Sequence, residues 1–319
     1  MLPPLQFQPL FKRYLWGGRR LATVLGKPIG DESAAESWEA VDHGEDQSVV
    51  AGGPYDGWTL RKLVEEKNEE LFGRHAPQEQ FPLLFKYLDA QRTLSVQVHP
   101  NDAQGAKLDP PDLGKTEAWV VLAAEPGSKI YAGLNDGVDR AALAAAVEAG
   151  ESDRCLHAFE AQPGDCVFIS AGTVHALGAG IMIAEIQQAS NTTFRLFDWN
   201  HVDKDGNSRP LHIEQSLEVS DYERGPVSPQ TPEPLDGGGE RLVDCDKFVL
   251  DRHALDRPTP IADEDCFKLI SVISGEADLV CGSSRSPLEK GSTVLLPARR
   301  EAAELHPRNA ATVLEMRLP

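Results

Sequence analysis

The stretch LSVQVHP, residues 94–100, starts as an apolar strand and then places Gln97 and His99 where further apolar residues are expected. Side chains alternate along a strand, so Ser95, Gln97 and His99 share one face while Leu94, Val96 and Val98 take the other. A face carrying a serine, an amide and an imidazole is either simply wet or lines a polar pocket, where it could serve a metal centre. Such a centre needs three or four donors converging from different strands. Two more candidates stand downstream: Glu117 in EAWVV and His175 in SAGTVH. Two imidazoles, one carboxylate and one amide oxygen form a mixed nitrogen and oxygen set, suited to one Zn2+ per chain and tolerant of other divalent ions. Three strong ligands and a neutral fourth leave room for water or substrate. Against this stands the commoner fate of a strand histidine, a hydrogen-bonded residue in the core or at the surface.

Glu185 is a candidate acid/base. In IMIAEIQQ it shares a strand face with Ile181, Ile183 and Gln187, and the apolar neighbours predict a partly desolvated carboxyl with a raised pKa. The competing role is a strand-end carboxylate paired with Lys or Arg. The chain has 31 Lys plus Arg against 50 Asp plus Glu, a formal charge of -19. That surplus repels nucleic acid and anionic membranes, so an anionic small substrate requires cations gathered locally. Lys86 in LFKYL, Lys115 two residues before Glu117, and Arg195 in TTFRLFD are the candidates; in NTTFRLFD, Arg195 is expected to share a face with Asn191, Thr193 and Phe197.

Many short segments must position these groups: TLSVQVH, EAWVVLAA, DCVFIS, IMIAEIQQ and TTFRLFDW read as strands separated by Gly, Pro, Asn and Asp. Helical signals are few. Thr59 can cap WTLRKLVEEKNEELFG, which Gly73 stops, and a second helix is expected near residues 139–149, ending at Gly150. PVSPQTPEPLDGGG, residues 226–239, has four prolines and three consecutive glycines and reads as a linker between a segment 1–225 and a segment 240–319. The start of the chain lacks a signal-peptide pattern and no run of 18 apolar residues occurs, so a soluble cytoplasmic protein without a membrane partner is expected. Five cysteines without CxxC spacing predict reduced thiols rather than disulfides or a thiolate metal site. Oligomeric state is not legible.

A weak internal repeat sharpens the fold. In PGDCVFISAGTVH a glycine, Gly164, is followed after five residues by Ser-Ala-Gly-x-x-His; in KGSTVLLPARREAAELH, Gly291 is followed after five residues by Pro-Ala-Arg. This spacing resembles the second motif of the cupin superfamily, where the strand after the turn supplies a metal-binding histidine. The first copy keeps its histidine, His175; the second has no polar ligand there. The expected fold is therefore mainly β, with two cupin-type (jelly-roll) barrels. The first carries helical insertions and the metal; the second is smaller, degenerate and metal-free.

A longer resemblance covers about residues 9–220. FPLLFKYLDAQRTLSVQVHPND, GKTEAW, SAGTVHALG and EIQQASNTTFRLFDW, with PLFKRYLWGGRRL and AAESWEAVDH nearer the start, are similar to the type I mannose-6-phosphate isomerases in their short bacterial form. The resemblance implies a zinc enzyme that interconverts mannose 6-phosphate and fructose 6-phosphate through an enediol. Its ligands carry over to Gln97, His99, Glu117 and His175. The family's matching serine, lysine and arginine positions imply that Ser95, Lys86, Lys115 and Arg195 hold the phosphate and steady the reacting oxygens. Arg195, Glu185 and Lys115 are then the expected catalytic groups. One departure is Asn191, where many members have aspartate; an asparagine orients but is no base. Two other readings stay open: a cupin that binds sugar phosphate without catalysis, and an iron-dependent cupin oxygenase, for which Gln97 is an odd neighbour to a two-histidine, one-carboxylate triad.

Overall fold

Glycine sets the two turns of the repeat. Gly164 and Gly291 adopt φ of 97° and 87°, a region that costs residues with a Cβ dearly, and each leads within two residues into a four-residue strand, Cys166–Ile169 and Thr293–Leu296. The computed structural model describes residues 1–201, 206–236 and 238–319, so Gly237 of the expected linker lies outside the described residues. The chain is mainly β with a few short helices. Its residues divide into two units: 1–12, 19–87 and 231–319 form one, and 13–18 with 88–230 form the other.

This division differs from a single cut at the linker expected over residues 226–239. The first unit joins the N-terminal segment to the C-terminal one through backbone contacts: Leu5 bridges Leu295, exchanging both hydrogen bonds at 2.9 and 2.8 Å, and Ala298 N donates to the Leu71 carbonyl at 3.0 Å. In that unit a six-stranded sheet, in the order Glu233–Pro234, Glu240–Asp244, Val249–Leu255, Ala311–Arg317, Lys268–Ser274, Thr293–Leu296, stacks on a four-stranded one. Ile270, Val272 and Val313 of the first meet Leu279, Leu288 and Leu305 of the second in a dry core. Each such side chain, when fully buried, stabilises the fold by about 1.5–3 kcal/mol before chain entropy is counted. The helical segment after Thr59 also belongs here. Thr59 accepts from Lys62 N, as expected, but the helix breaks at Lys67 into Leu60–Glu66 and Asn68–Phe72. Asn68 explains the break, because its side-chain amide bonds the Val64 and Gln78 carbonyls in place of continuing the helix.

The second unit carries the polar strand. A five-stranded antiparallel sheet runs Leu156–Glu160, Lys129–Leu134, His175–Leu177, Val96–Val98, Phe194–Phe197. Facing it are Cys166–Ile169, Glu117–Ala124 and Ile181–Gln188. Ile130, Ala132 and Leu177 from one sheet pack on Trp119, Val121, Val167, Ile181 and Ile183 from the other. The outer face of the five-stranded sheet is closed by helices Arg140–Glu148, capped by Asp139, and Ile213–Val219, whose Leu143, Val147 and Leu217 meet Val96, Val98, Leu196 and Phe197. Both units are thus sandwiches of open sheets; among the described residues no closed barrel forms, because every sheet ends on edge strands.

Two side-chain assignments need correction. The strand bearing Gln97 begins only at Val96, so Leu94 leaves the alternation and packs on the inner core rather than beside Val96 and Val98. A bulge between Arg195 and Phe197 likewise separates two residues expected on one face: Arg195 pairs with Gln97, Phe197 with Val96, and Phe197 turns to the outer core. The face of Ile181, Ile183, Glu185 and Gln187 is as expected. Among the described residues no helix is long and apolar enough to cross a membrane, and all five cysteines are free thiols.

Candidate active site and metal centre

Strand register builds the site. His175 is the direct partner of Gln97, and Gln97 of Arg195, so three polar side chains stand in a row across one sheet. On the opposite sheet Glu117 pairs with Gln187 and Trp119 with Glu185. These pairs bring His99, Glu117 and His175, exposed by 1% or less, to donor positions within 4.8 Å of one another. His99 Nε2 is 3.6 Å from Glu117 Oε2, and His175 Nε2 is 3.4 Å from Glu117 Oε1.

The protonation pattern suits a cation. His99 Nδ1 donates to the Thr192 carbonyl at 2.9 Å and His175 Nδ1 to the Thr173 carbonyl at 2.8 Å. With the proton on Nδ1, each ring turns an Nε2 lone pair inward. Burial pushes the His175 pKa down to about 4, against smaller opposing effects of the Thr173 hydrogen bond and Glu185, so the ring is neutral near pH 7. Glu117 Oε1 is buried without a hydrogen-bond partner. Such an orphan costs about 1–3 kcal/mol, a cost that a bound cation removes. The Gln97 amide nitrogen lies 3.2 Å from His175 Nε2; turning the amide over presents its oxygen at the same place.

Lys115 occupies this convergence with its own charge. Its ammonium bonds Glu117 Oε2, reaches His99 Nε2 at 3.0 Å and lies 3.5 Å from Glu185 Oε1. A protein ammonium thus sits among the donors as a stand-in cation. Gln97, His99, Glu117 and His175 fit a hard or borderline divalent ion, and Lys115 would have to withdraw from His99 and Glu117 to admit it. A second group with ligand chemistry, Asp251, His253 and Glu315 in the first unit, is already served by cations. Arg241 and Arg317 hold Asp251, and Lys268 meets Glu315 at 2.7 Å.

Glu185 is 2% exposed, as its apolar neighbours predicted, and the lysine pairing weighed against it is also present, in Lys115. Ser95 accepts from Arg195 Nε at 3.3 Å, and Arg195 Nη1 donates to the Pro210 carbonyl at 2.8 Å. Burial, and then the charge of Arg209, lower the Arg195 pKa; burial and Arg195 lower that of His212, whose Nδ1 accepts from Arg195 N at 3.1 Å. Eight of the nine candidate residues thus belong to one unit. The ninth, Lys86, belongs to the other, where it is buried and pairs with Glu36 at 3.3 Å. Asn191 is exposed.

Sequence reasoning missed the outer partners. The Thr173 and Thr192 carbonyls carry no side-chain signal, and Asp112 and His212 stand in no motif. Gln187 and Gln188 were in view within IMIAEIQQ, but only as strand residues. Gln187 Nε2 in fact bonds the Gln188 and Ser190 carbonyls, and Gln188 Oε1 accepts from Thr116 N.

Comparison with known proteins points one way. Residues 5–126 match the family model described as phosphomannose isomerase type I, catalytic domain, and residues 240–309 that described as mannose-6-phosphate isomerase, cupin domain. The first match includes Ser95, Gln97, His99, Lys115 and Glu117 but stops short of His175, Glu185 and Arg195. Similar curated proteins include mannose-6-phosphate isomerase ManA of Bacillus subtilis, 38% identical over 92% of this chain and 93% of that protein. Another is the mannose-6-phosphate isomerase of Streptococcus mutans, 36% identical with 93% of each covered. Among solved structures, the mannose 6-phosphate isomerase from Bacillus subtilis superposes with a TM-score of 0.90 at 29% identity over 99% of each chain. A protein from Archaeoglobus fulgidus shares the fold at a TM-score of 0.80 and 22% identity, over 100% of this chain and 99% of that one.

Proposed function

This chain belongs to the type I mannose-6-phosphate isomerases, and we propose that it interconverts mannose 6-phosphate and fructose 6-phosphate through an enediol. The observation that carries this reading to particular residues is the convergence of two inward imidazole lone pairs, the orphaned Glu117 oxygen and the buried Glu185 on one sandwich. Gln97, His99, Glu117 and His175 would hold the metal, which we assign as zinc, one per chain, from the mixed donor set. When bound, the metal supplies Lewis acidity to the sugar oxygens.

The chain's own groups do the rest. Glu185 takes the proton from C2 of the aldose and returns it to C1 of the enediol while the hydroxyl proton passes from O2 to O1, and the reverse path moves both back. The site is buried, so the carboxylate works away from bulk water and hands the same proton between adjacent carbons. Lys115 beside Glu185 stabilises negative charge as it develops on the enediolate oxygens. Arg195, aligned by Ser95 and the Pro210 carbonyl, takes the phosphate with its fork of donors. A binder without catalysis would have no use for the buried Glu185 and Lys115 pair, and Gln97 is an odd fourth neighbour for the two-histidine, one-carboxylate triad of an oxygenase.

We read both sandwiches as cupin-type jelly rolls, the unit of residues 13–18 and 88–230 as the catalytic one and the unit of residues 1–12, 19–87 and 231–319 as a metal-free cupin-like one. The charge of -19 weighs against nucleic acid or an anionic membrane as the partner, and the sugar phosphate is held by cations gathered locally, in a protein we place in the cytoplasm. The test is a coupled assay for fructose 6-phosphate formed from mannose 6-phosphate by the purified chain. Turnover on the second timescale is expected, and no product above the uncatalysed rate overturns the reading.

A further inference from the structure

We infer that Asp112 is a positioning residue for His99: its carboxylate clamps the turn at residues 190–192 and so fixes the Thr192 carbonyl that orients the imidazole. The inference rests on the reading of His99 as a metal ligand. Asp112 Oδ2 accepts from Thr192 Oγ1 at 2.7 Å, from Ser190 Oγ at 2.9 Å and from Asn191 N at 3.4 Å. Three successive residues therefore converge on one oxygen, while Oδ1 accepts from Leu113 N at 2.8 Å. From the same turn the Thr192 carbonyl accepts from His99 Nδ1 at 2.9 Å. The path is short and continuous: carboxylate, hydroxyl, carbonyl, ring.

Several features suit the path to positioning. The turn leaves the Glu185 strand and enters the Arg195 strand, so it has no sheet partner of its own. A carboxylate accepting several hydrogen bonds is a stronger anchor than neutral pairs, because each bond is charge-assisted. Asp102 adds a second tie, taking Gln188 Nε2 at 2.8 Å and Gly114 N at 2.9 Å, so residues 102–114 cradle the turn from one side. Without the Asp112 clamp, the Thr192 carbonyl is free to move, and His99 loses the acceptor that keeps its proton on Nδ1 and its lone pair on Nε2. Outer partners of this type typically set metal affinity by a factor of about 10–100.

The test measures zinc affinity by competition with a fluorescent chelator for the wild-type chain, Asp112→Ala and Asp112→Asn. Asp139→Ala serves as a control that removes a helix cap in the same unit. Asp112→Ala is expected to raise the zinc Kd about 10- to 100-fold, with Asp112→Asn restoring most of it through its remaining acceptor oxygen, and Asp139→Ala within about threefold of wild type. Wild-type affinity in Asp112→Ala, or an equal loss in Asp139→Ala, overturns the inference. If Asp112→Ala does not fold, Thr192→Val removes one arm of the clamp and is expected to weaken zinc at least about threefold; unchanged affinity overturns the inference too. If the wild-type chain takes up no zinc, the metal reading fails on its own. Nitrogen-15 spectra of the metal-free histidines then decide the positioning role. His99 should hold its Nδ1 proton in the wild type and lose that preference in the Asp112 variants, and a signal unchanged by the substitution contradicts the role.

Discussion

His175 and Gln97 are direct partners across two antiparallel strands, with His175 Nε2 3.2 Å from the Gln97 amide nitrogen. The proton of His175 is engaged at Nδ1, so Nε2 and the Gln97 amide would be the pair to hold a metal, with the Gln97 oxygen turned inward. The two residues therefore differ in weight. His175→Ala is expected to cost more than about 100-fold in zinc affinity, beyond the range of an outer partner, and Gln97→Leu about tenfold. Equilibrium dialysis on the two variants checks the order, and equal losses would remove the distinction.

Glu185 is predicted to act in chemistry and not in binding. Glu185→Gln keeps the shape and removes the base, so kcat should fall roughly 10²- to 10⁴-fold with KM and zinc content near wild type. Steady-state kinetics with metal analysis separates the two. A variant that isomerises normally would return Glu185 to the role of a buried partner for Lys115.

Arg195 contacts Ser95 and the Pro210 carbonyl and is only half-buried, which leaves part of its fork for an anion. Arg195→Ala is expected to lose about 2–3 kcal/mol of charge-assisted bonding, roughly 30- to 150-fold in kcat/KM, with Arg195→Lys recovering part of it. The same substitution should weaken inhibition by inorganic phosphate. Normal kinetics would make Arg195 a surface cation.

The metal-free protein should also lose stability in mild acid. His175 titrates near 6.5 when unfolded and near 4 when folded, so between these values the unfolded chain binds more protons. Stability is fully present above pH 6.5 and declines as pH falls towards 4. The loss between pH 7 and pH 5 is about 2 kcal/mol from this residue. Urea unfolding of chelated wild type and His175→Asn at the two pH values reads the difference, and identical pH dependence in both would contradict the assignment.

Much of the site was legible because strand alternation is a rigid rule. Glu185 follows two core isoleucines on one face, and the face came out as alternation required. Two departures mark where alternation stops. Leu94 precedes the first paired residue of its strand, and the bulge at Arg195 inserts an extra residue that rotates Phe197 to the outer core. Bulges and strand starts depend on the partner strand, which local pattern does not contain. The same applies to the Asp112 clamp, whose hydroxyl partners lie 78 and 80 residues away. The linker pattern at residues 226–239 was plain, yet the pairing of Leu5 with Leu295 could not be read from either segment alone.

His99, Glu117 and His175, with Gln97, are proposed to hold one catalytic metal in this mannose-6-phosphate isomerase. Stripping the chain with chelator and titrating zinc back while following fructose 6-phosphate formation tests it most directly. Turnover should vanish on stripping, return in proportion to added zinc and saturate at about one ion per chain, with His175→Ala failing to recover. Full turnover in the thoroughly stripped chain, or full recovery in His175→Ala, would contradict it.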